Sequence, residues 1–443
     1  MSLTPPEKVW KLQQVLHEKA KASPTYRFYA LYDKVYRRDV LGFAYDRCRA
    51  NKGAAGVDGQ SFEDIETYGR ERWLDELAEE LKTEAYEPDA VRRVWIPKAD
   101  GKLRPLGIPT IRDRVVQMAF VLVVEPIFDE DLQPEQHAYR ADHSAQDAVR
   151  EVQVWLDRGY VEIIDADLSG YFDTIPHHDL MKSVARRISD SRMLHLVKMW
   201  LEAAVEETDE NGKVKRTTRN KDEGKGTPQG GVASPLLANL YMRRFVLGWK
   251  AGGHAQRLEA HIVNYADDFV ICCKRGRAEE AMLQMRSMME KLQLTVNEKK
   301  TRQCSLPEGT FTFLGFTFGR QVSWKTGRSY IAPAPAEKKV LGICEKISEE
   351  TSRRTTYRSE AEQVRRLNQM LMGWGNYFRL GYVTGAWQVV QQHACRRLRR
   401  WMRAKHHWKA SRHGPPDLRL YEDYGLVNLV KTIARLPLWA KSC

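Results

Sequence analysis

At 443 residues the chain is long enough for two or three domains, and its formal charge of +13 is lopsided, with 21 Lys and Arg against 9 Asp and Glu in residues 337–443. A basic end behind a nearly neutral body is an electrostatic footprint for nucleic acid, the alternative being a merely soluble cationic surface. The seven scattered cysteines form no CxxC pair, no apolar run is long enough to span a bilayer and Met1-Ser-Leu-Thr-Pro-Pro6 lacks a signal-peptide pattern, so zinc-finger, membrane-spanning and exported classes drop out and a cytoplasmic protein is expected.

Residues 1–50 read as mostly helical and mixed in charge. Next comes a glycine-punctuated loop, Asn51-Lys-Gly-Ala-Ala-Gly-Val-Asp-Gly59, a plain turn or a phosphate contact through Lys52. A helical stretch covers about 61–84. Val94-Trp-Ile-Pro-Lys-Ala-Asp-Gly-Lys-Leu-Arg-Pro-Leu-Gly-Ile-Pro109 reads as strand, Asp-Gly turn, strand. Lys98 and Arg104 on its opposite arms are either solvated or converge on one anion, for which a guanidinium fork and an ammonium point charge both suit a triphosphate. A helix starts at Thr110, and His143 beside Asp142 reads as a cap for another helix.

Tyr160-Val-Glu-Ile-Ile-Asp-Ala-Asp-Leu-Ser-Gly-Tyr-Phe-Asp173 is a strand-like run ending in acid, with Val161, Ile163, Asp165 and Asp167 on one face by two-residue periodicity. Gly226-Thr-Pro-Gln-Gly-Gly-Val-Ala-Ser-Pro-Leu-Leu-Ala-Asn-Leu240 is a Pro-Gly loop before an apolar helix. In His261-Ile-Val-Asn-Tyr-Ala-Asp-Asp-Phe-Val-Ile-Cys-Cys273, apolar arms flank the tip Tyr265–Asp268, the pattern of a tight β-hairpin. Adjacent carboxylates there form a solvated turn, or they repel each other until a cation sits between them. Hard ions such as Mg²⁺ are held by one or two carboxylates plus substrate phosphates. Paired beside the hairpin, the 160–167 strand brings a third carboxylate to the same point. Two metals about 3.5–4 Å apart, bridged by such acids, are how polymerases transfer a nucleotidyl group.

Further along, 277–293 is an amphipathic helix whose methionine stripe reads as core. Leu294–Thr301 is expected as a strand with a basic end. Phe311-Thr-Phe-Leu-Gly-Phe-Thr-Phe318 alternates aromatics in a strand interrupted at Leu314-Gly315, where a glycine marks close approach of another backbone. Ile331-Ala-Pro-Ala-Pro335 reads as a boundary, and helical patterns follow near 337–351, 359–378 and 385–404. Arg396, Arg397, Arg399, Arg400 and Arg403, interleaved with Trp401 and Trp408, combine phosphate contacts with stacking surfaces. Such a run covers more than one face of its helix, so some of its members are merely solvated.

With both acidic segments in view, the chain resembles the reverse transcriptases encoded by bacterial group II introns, also called maturases. YADD at 265–268 looks like their catalytic box and DADLSGYFD at 165–173 like their first metal-binding motif. The resemblance implies Asp167, not Asp165, as the metal ligand, completing a triad with Asp267 and Asp268 around two Mg²⁺ ions, for which Mn²⁺ can substitute. NKGAAGVDG is similar to an N-terminal element that holds the template, which assigns Lys52 there. The family's fingers hairpin implies triphosphate binding by Lys98 and Arg104. Phe172 stands at the position beneath the nucleotide's sugar, where a ring leaves no room for a 2′-hydroxyl. Gln229 on the TPQG loop would touch the nucleotide, Lys300 matches a Lys-Thr pair near the substrate, and Leu314 and Gly315 match the Phe-Leu-Gly primer grip. Tyr139-Arg-Ala-Asp-His-Ser144 departs from the family's Phe-Arg-Pro-Gly-Arg-Ser, keeping Arg140, a nucleic-acid contact, and Ser144.

Leu367-Asn-Gln-Met-Leu-Met-Gly-Trp-Gly-Asn-Tyr-Phe378 resembles the maturase domain. The implied architecture is the α/β fingers and palm of a right-hand polymerase over 1–330, including an N-terminal extension to 85. An all-α thumb or maturase domain over 331–404 and a basic DNA-binding tail over 405–443 complete it, in the form lacking an H-N-H endonuclease. The implied function is RNA-directed DNA synthesis, with dNTPs, an RNA template, a DNA primer, intron RNA and target DNA as partners and splicing and intron mobility as outcomes. Two rivals are a maturase acting mainly as an RNA-binding splicing cofactor and a domesticated relative in phage defence or DNA repair.

Overall fold

Ile163 and Ile164 point to opposite faces of their strand and both are fully buried, so the run expected at 160–167 lies inside the protein. The computed structural model describes residues 3–97, 101, 103–209, 212–322, 326–407 and 415–433. Its strands in chain order are β1 (Val91–Pro97), β2 (Leu103–Ile108), β3 (Glu162–Ala166), β4 (Val205–Thr208), β5 (Val214–Thr217), β6 (Ala260–Tyr265), β7 (Asp268–Cys273), β8 (Arg302–Ser305), β9 (Phe311–Phe313), β10 (Phe316–Val322) and β11 (Ser329–Pro335). Among the described residues they form sheets ordered β2-β1-β4-β5, β6-β7-β3-β8 and β11-β10-β9.

The expected hairpins form. β1 and β2 run antiparallel with Ile96 opposite Arg104, while Lys98, Ala99, Asp100 and Lys102 lie outside the described residues. β6 and β7 pair from Ala260–Cys273 to Tyr265–Asp268, and β3 joins the other edge of β7 with Ala166 opposite Phe269. One face of this four-stranded sheet packs Ile164, Phe269 and Ile271 into the main core beside Met285 and Met289, so the methionine stripe of helix Ala278–Lys291 is core, as expected. The opposite face packs Ile163, Val270 and Cys272 against Phe311, Phe313, Phe316 and Phe318.

Helix Ile111–Asp129 is apolar on nearly every side and correspondingly buried along its length. The Thr110 hydroxyl accepts the Asp113 amide at 3.2 Å to start it. The helical stretch expected over 61–84 divides at Gly69, whose φ of 110° an L side chain rarely adopts, into Phe62–Tyr68 and Arg70–Lys82. Helix Ala145–Asp157 is capped by Ser144 in a reciprocal box with Asp147, which corrects the expectation that His143 is its cap. Residues 294–301 are no continuous strand: Val296 bridges Leu168, and regular pairing resumes only at β8.

The last part is helical, with Glu337–Glu350, Glu360–Tyr377 and Thr384–Lys405 packed around Ile347, Leu367, Leu371, Val390 and Leu398. Ile331–Pro335, expected as a boundary, is part of β11, paired with β10 from Phe316–Pro335 to Val322–Ser329, and the first helix of the helical unit starts at Glu337. Trp401 is no stacking platform: it is 1% exposed and its indole donates to Thr355 Oγ1 at 3.0 Å. Residues 415–433, within the expected DNA-binding tail, are packed: Leu420, Leu426 and Leu429 complete the helical core. Asn368 and Gln391 pin this segment. Asn368 Nδ2 donates to the Gly425 carbonyl and Asn368 Oδ1 accepts the Val427 amide, both at 2.8 Å; Gln391 Oε1 accepts the Leu429 amide at 2.9 Å. Trp408 and residues 434–443 lie outside the described residues, among which no helix is long and apolar enough to cross a membrane.

Candidate active site

Asp268 opens β7 and Asp167 follows the last residue of β3, so the register of two neighbouring antiparallel strands brings their carboxylates to one end of the sheet. Ala266 and Asp267 form the turn between β6 and β7, Ala266 with a left-handed φ of 58°. Asn264 holds that turn, its fully buried side chain donating from Nδ2 to the Ala266 carbonyl at 2.8 Å and to the Asp268 carbonyl at 3.4 Å. Its own main chain is fixed by Glu135 and His137. The sequence reading missed Asn264 because an Asn inside an apolar strand carries no signal until its turn partners are visible.

Asp167 and Asp268 open into a cavity of about 920 Å³ with Asp165, Lys300 and Arg302. Lys300 Nζ donates to Asp167 Oδ2 at 2.7 Å, and the Asp167 main chain is anchored by the Asn297 amide at 2.8 Å. Desolvation by surrounding protein, then the negative charges of Asp267, Asp167 and Asp165, push Asp268 up to about 6 even though its side chain reaches solvent. Burial pushes Asp165 to about 6 as well, against the pull of Arg302. Among the described residues no three His, Cys, Asp or Glu side chains close into a metal cluster. The donor set nevertheless fits hard divalent cations: every acid offers oxygen, their mutual repulsion favours added positive charge, and the Lys300 ammonium already pairs with Asp167. Asp267 is not part of the cavity wall; its charge falls on Tyr139, which is raised by burial, then by Asp267 and Tyr265, and lowered by Arg104. Tyr139, 49% exposed between the acidic tip and the fingers arm, is a second residue the sequence reading left without a role.

On the other side, Arg104 Nε donates to Gln229 Oε1 at 3.0 Å, and Gln229 Nε2 donates to Asp173 Oδ2 at 3.3 Å. The Gly107 amide also donates to the Gln229 carbonyl at 2.5 Å. This approach requires glycine at 230, where φ is 108° and a Cβ would stand 3.0 Å from Leu106 Cδ1 and run into the Gly107 carbonyl. Phe172 is 6% exposed, packed in the main core, and its carbonyl accepts the Thr227 amide at 2.7 Å. Lys98 lies outside the described residues.

Leu314 and Gly315, with φ of 50° and 82°, are the two-residue turn between β9 and β10. The Tyr377 hydroxyl donates to the Leu314 carbonyl and the Ala336 amide to the Gly315 carbonyl, each at 2.9 Å. The close approach expected at this glycine is therefore real, and it ties the turn to the helical unit.

The expected nucleic-acid contacts divide. Lys52 is exposed at the tip of a loop strapped down by Arg114 to the Ala54 carbonyl at 2.6 Å and Arg92 to the Ala55 carbonyl at 2.5 Å. Arg140 points inward: its side chain is 9% exposed, its Nε donates to Asp129 Oδ1 at 2.8 Å, and its Nη atoms donate to the carbonyls of Gln133, Gln136 and Asp129, so four of its five N–H donors are used within the protein. Arg396 and Arg400 are exposed, and Arg403 is half-buried. Arg397, half-buried, caps helix Glu337–Glu350, donating to Thr351 Oγ1 at 3.0 Å and the Ser348 carbonyl at 2.7 Å. Arg399, also half-buried, is bonded to the Pro415 carbonyl at 2.8 Å and ion-paired with Asp417.

Residues 96–318 match the family model described as reverse transcriptase (RNA-dependent DNA polymerase), and residues 341–415 match that of the group II intron, maturase-specific domain. Protein YkfC of Escherichia coli (strain K12) is 33% identical over 367 residues, 74% of this chain and 93% of that protein. Group II intron-encoded protein LtrA of Lactococcus lactis subsp. cremoris is 32% identical over 227 residues, 50% of this chain and 36% of that protein. The putative COX1/OXI3 intron 1 protein of Saccharomyces cerevisiae is 28% identical over 328 residues, covering 63% of this chain and 38% of its own. This chain thus spans nearly all of YkfC but little more than a third of the two longer intron proteins. Acids ending adjacent palm strands, a fingers arm bonded to the TPQG loop and a maturase-specific helical unit occur here in one chain, which belongs to the reverse transcriptases encoded by group II introns and is an RNA-directed DNA polymerase.

Proposed function

We propose that this polymerase extends a DNA primer on an RNA template with Asp167, Asp267 and Asp268 as its metal-holding acids, and that its helical unit binds the parent intron RNA to promote splicing and mobility. The observation that carries the reading is the convergence of Asp167 and Asp268 from paired strands on one cavity, with Arg104 near enough to the acidic tip that it and Asp267 both act on Tyr139. Bound to these acids, two Mg²⁺ ions, or Mn²⁺ in their place, would acidify the primer's 3′-hydroxyl and neutralise the triphosphate. The hydroxyl attacks the α-phosphorus, its proton is lost, and pyrophosphate leaves. Arg104 turns from Gln229 to the triphosphate together with Lys98, Phe172 excludes a 2′-hydroxyl, and the Leu314-Gly315 turn presses on the primer end. Lys300, which now neutralises Asp167, would release that carboxylate to the metal ions. Fingers and palm run to Pro335 and the thumb from Glu337 through the core-packed 415–433 segment, with target DNA meeting its basic surface. The described cysteines are all free, which suits the reducing cytoplasm.

The test replaces Asp267 and Asp268 together with Ala. Primer extension should vanish while RNA affinity holds, because the phosphate-binding cations lie elsewhere. Normal dNTP incorporation by the double variant in Mg²⁺ would sink the assignment.

A further inference from the structure

Gln229 is held by two partners whose chemistry dictates which way its amide faces. A guanidinium only donates, so the atom 3.0 Å from Arg104 Nε must be the oxygen. A carboxylate only accepts, so the atom facing Asp173 Oδ2 at 3.3 Å must be the nitrogen. Asp173 itself is rigidly placed. Its amide donates to the Gly170 carbonyl at 2.8 Å, and the flanking segment is zipped to the TPQG loop by Thr227 to Phe172, Gly226 to Ile175 and His177 to Gly224, at 2.7, 2.9 and 2.8 Å. The Gly226 carbonyl is also met by His177 Nε2 at 2.7 Å.

These two restraints become unequal during turnover. An incoming triphosphate draws Arg104 away, and Asp173 then remains as the amide's anchor. With its nitrogen fixed on the carboxylate, Gln229 turns its oxygen toward the nucleotide and can only accept a hydrogen bond there. A paired deoxynucleotide offers little to donate: its phosphates are acceptors and its base donors face the template. The remaining donor is the sugar's 3′-hydroxyl. We propose that Asp173 is a positioning residue for nucleotide selection, fixing the Gln229 amide so that its oxygen reads the 3′-hydroxyl of the incoming dNTP. The inference rests on Gln229 touching the nucleotide, as in the function proposed above, and adds what sets that contact's polarity.

The experiment measures kcat and KM for a dNTP and its 2′,3′-dideoxy analogue on one RNA template and DNA primer. It uses the wild type, Asp173→Asn, Asp173→Glu, Gln229→Ala and the Asp173→Asn/Gln229→Ala double variant. Loss of a negative charge near a triphosphate should, by Coulomb's law alone, tighten both substrates alike. A geometric role gives the opposite and unequal result. In Asp173→Asn the dNTP KM should rise about two- to twelve-fold, the worth of the one neutral hydrogen bond from the 3′-hydroxyl to the Gln229 oxygen, with kcat within about twofold. The dideoxy KM should stay put, so that discrimination between the two substrates collapses. Asp173→Glu, still an acceptor only, should retain most of the discrimination, and Asp173→Asn should add nothing in the Gln229→Ala background. Equal changes for both substrates, or an Asp173→Asn effect that persists without the Gln229 amide, would overturn the proposal. If Gln229→Ala itself leaves the dNTP/dideoxy ratio intact, the nucleotide contact of Gln229 fails, a separate result.

Discussion

The Phe172 carbonyl accepts the Thr227 amide at 2.7 Å, so the aromatic five residues past Asp167 and the loop carrying Gln229 move as one hydrogen-bonded unit. The ring itself is 6% exposed and packed in the main core. The gate role proposed for Phe172 thus falls on a core side chain, and one substitution should read both. Phe172→Ala should weaken discrimination against ribonucleotides by roughly 10- to 200-fold, the range for removing a close steric contact in a pocket. It should also cost about 3–5 kcal/mol of stability in a denaturant titration, as for a truncated core aromatic. A stability loss with unchanged rNTP/dNTP selectivity would leave Phe172 as core alone.

A second prediction concerns pH. Asp113 is 1% exposed and accepts from the Tyr86 hydroxyl at 2.7 Å and the Asp89 amide at 3.1 Å. Burial pushes it from 3.8 up to about 6, with Asp89 adding to the shift while the hydrogen bonds and Arg112 oppose it. The folded chain keeps this proton where the unfolded chain has lost it. The resulting stability is complete below about 3.8 and disappears as pH rises through about 6. Asp113→Asn cannot ionise, so the wild-type stability measured against this variant should decline between pH 4 and 6.5 and then level off. Each tenfold gain in proton affinity is worth about 1.4 kcal/mol. A pH-independent difference between the two proteins would show that the carboxyl titrates normally.

The elements that alternate or recur strictly were legible in the sequence: β3, the β6–β7 hairpin, the methionine helix and the three long thumb helices stand where periodicity puts them. What escaped were features decided by partners distant in the chain. Pro333 and Pro335 read as a boundary, yet β11 lies at the edge of its sheet, where a missing N–H is tolerated. The tail from 405 was read from its resemblance alone, and nothing local in 415–433 shows that Leu420, Leu426 and Leu429 pack beside the helices carrying Asn368 and Gln391. At the site, the acids were found because their spacing within each strand is local. Asn264, Tyr139 and Asp173 were not assigned roles, since their partners come from other segments.

The same difference reshapes what the arginine run can do. Five arginines between 396 and 403 look equivalent in a sequence, but a helix distributes them around its axis. Arg397 and Arg399 point back into the thumb, one capping helix Glu337–Glu350 and the other holding the 415–417 segment. Arg396 and Arg400, four residues apart, share the exposed face. If both touch phosphate, replacing them with Gln should flatten the log–log salt dependence of RNA binding by about 1.4–1.8, at roughly 0.7–0.9 per phosphate. The affinity loss should be similar across RNA sequences, because phosphate contacts position without reading bases. Extension at saturating template–primer should survive. Arg397→Gln and Arg399→Gln should instead leave the salt slope alone and lower thermal stability, since each strips donors from carbonyls inside the helical unit. A slope that flattens equally for both pairs would mean that the inward arginines release their carbonyls to meet RNA. An unchanged slope for Arg396 and Arg400 would mean that the basic end binds through other residues.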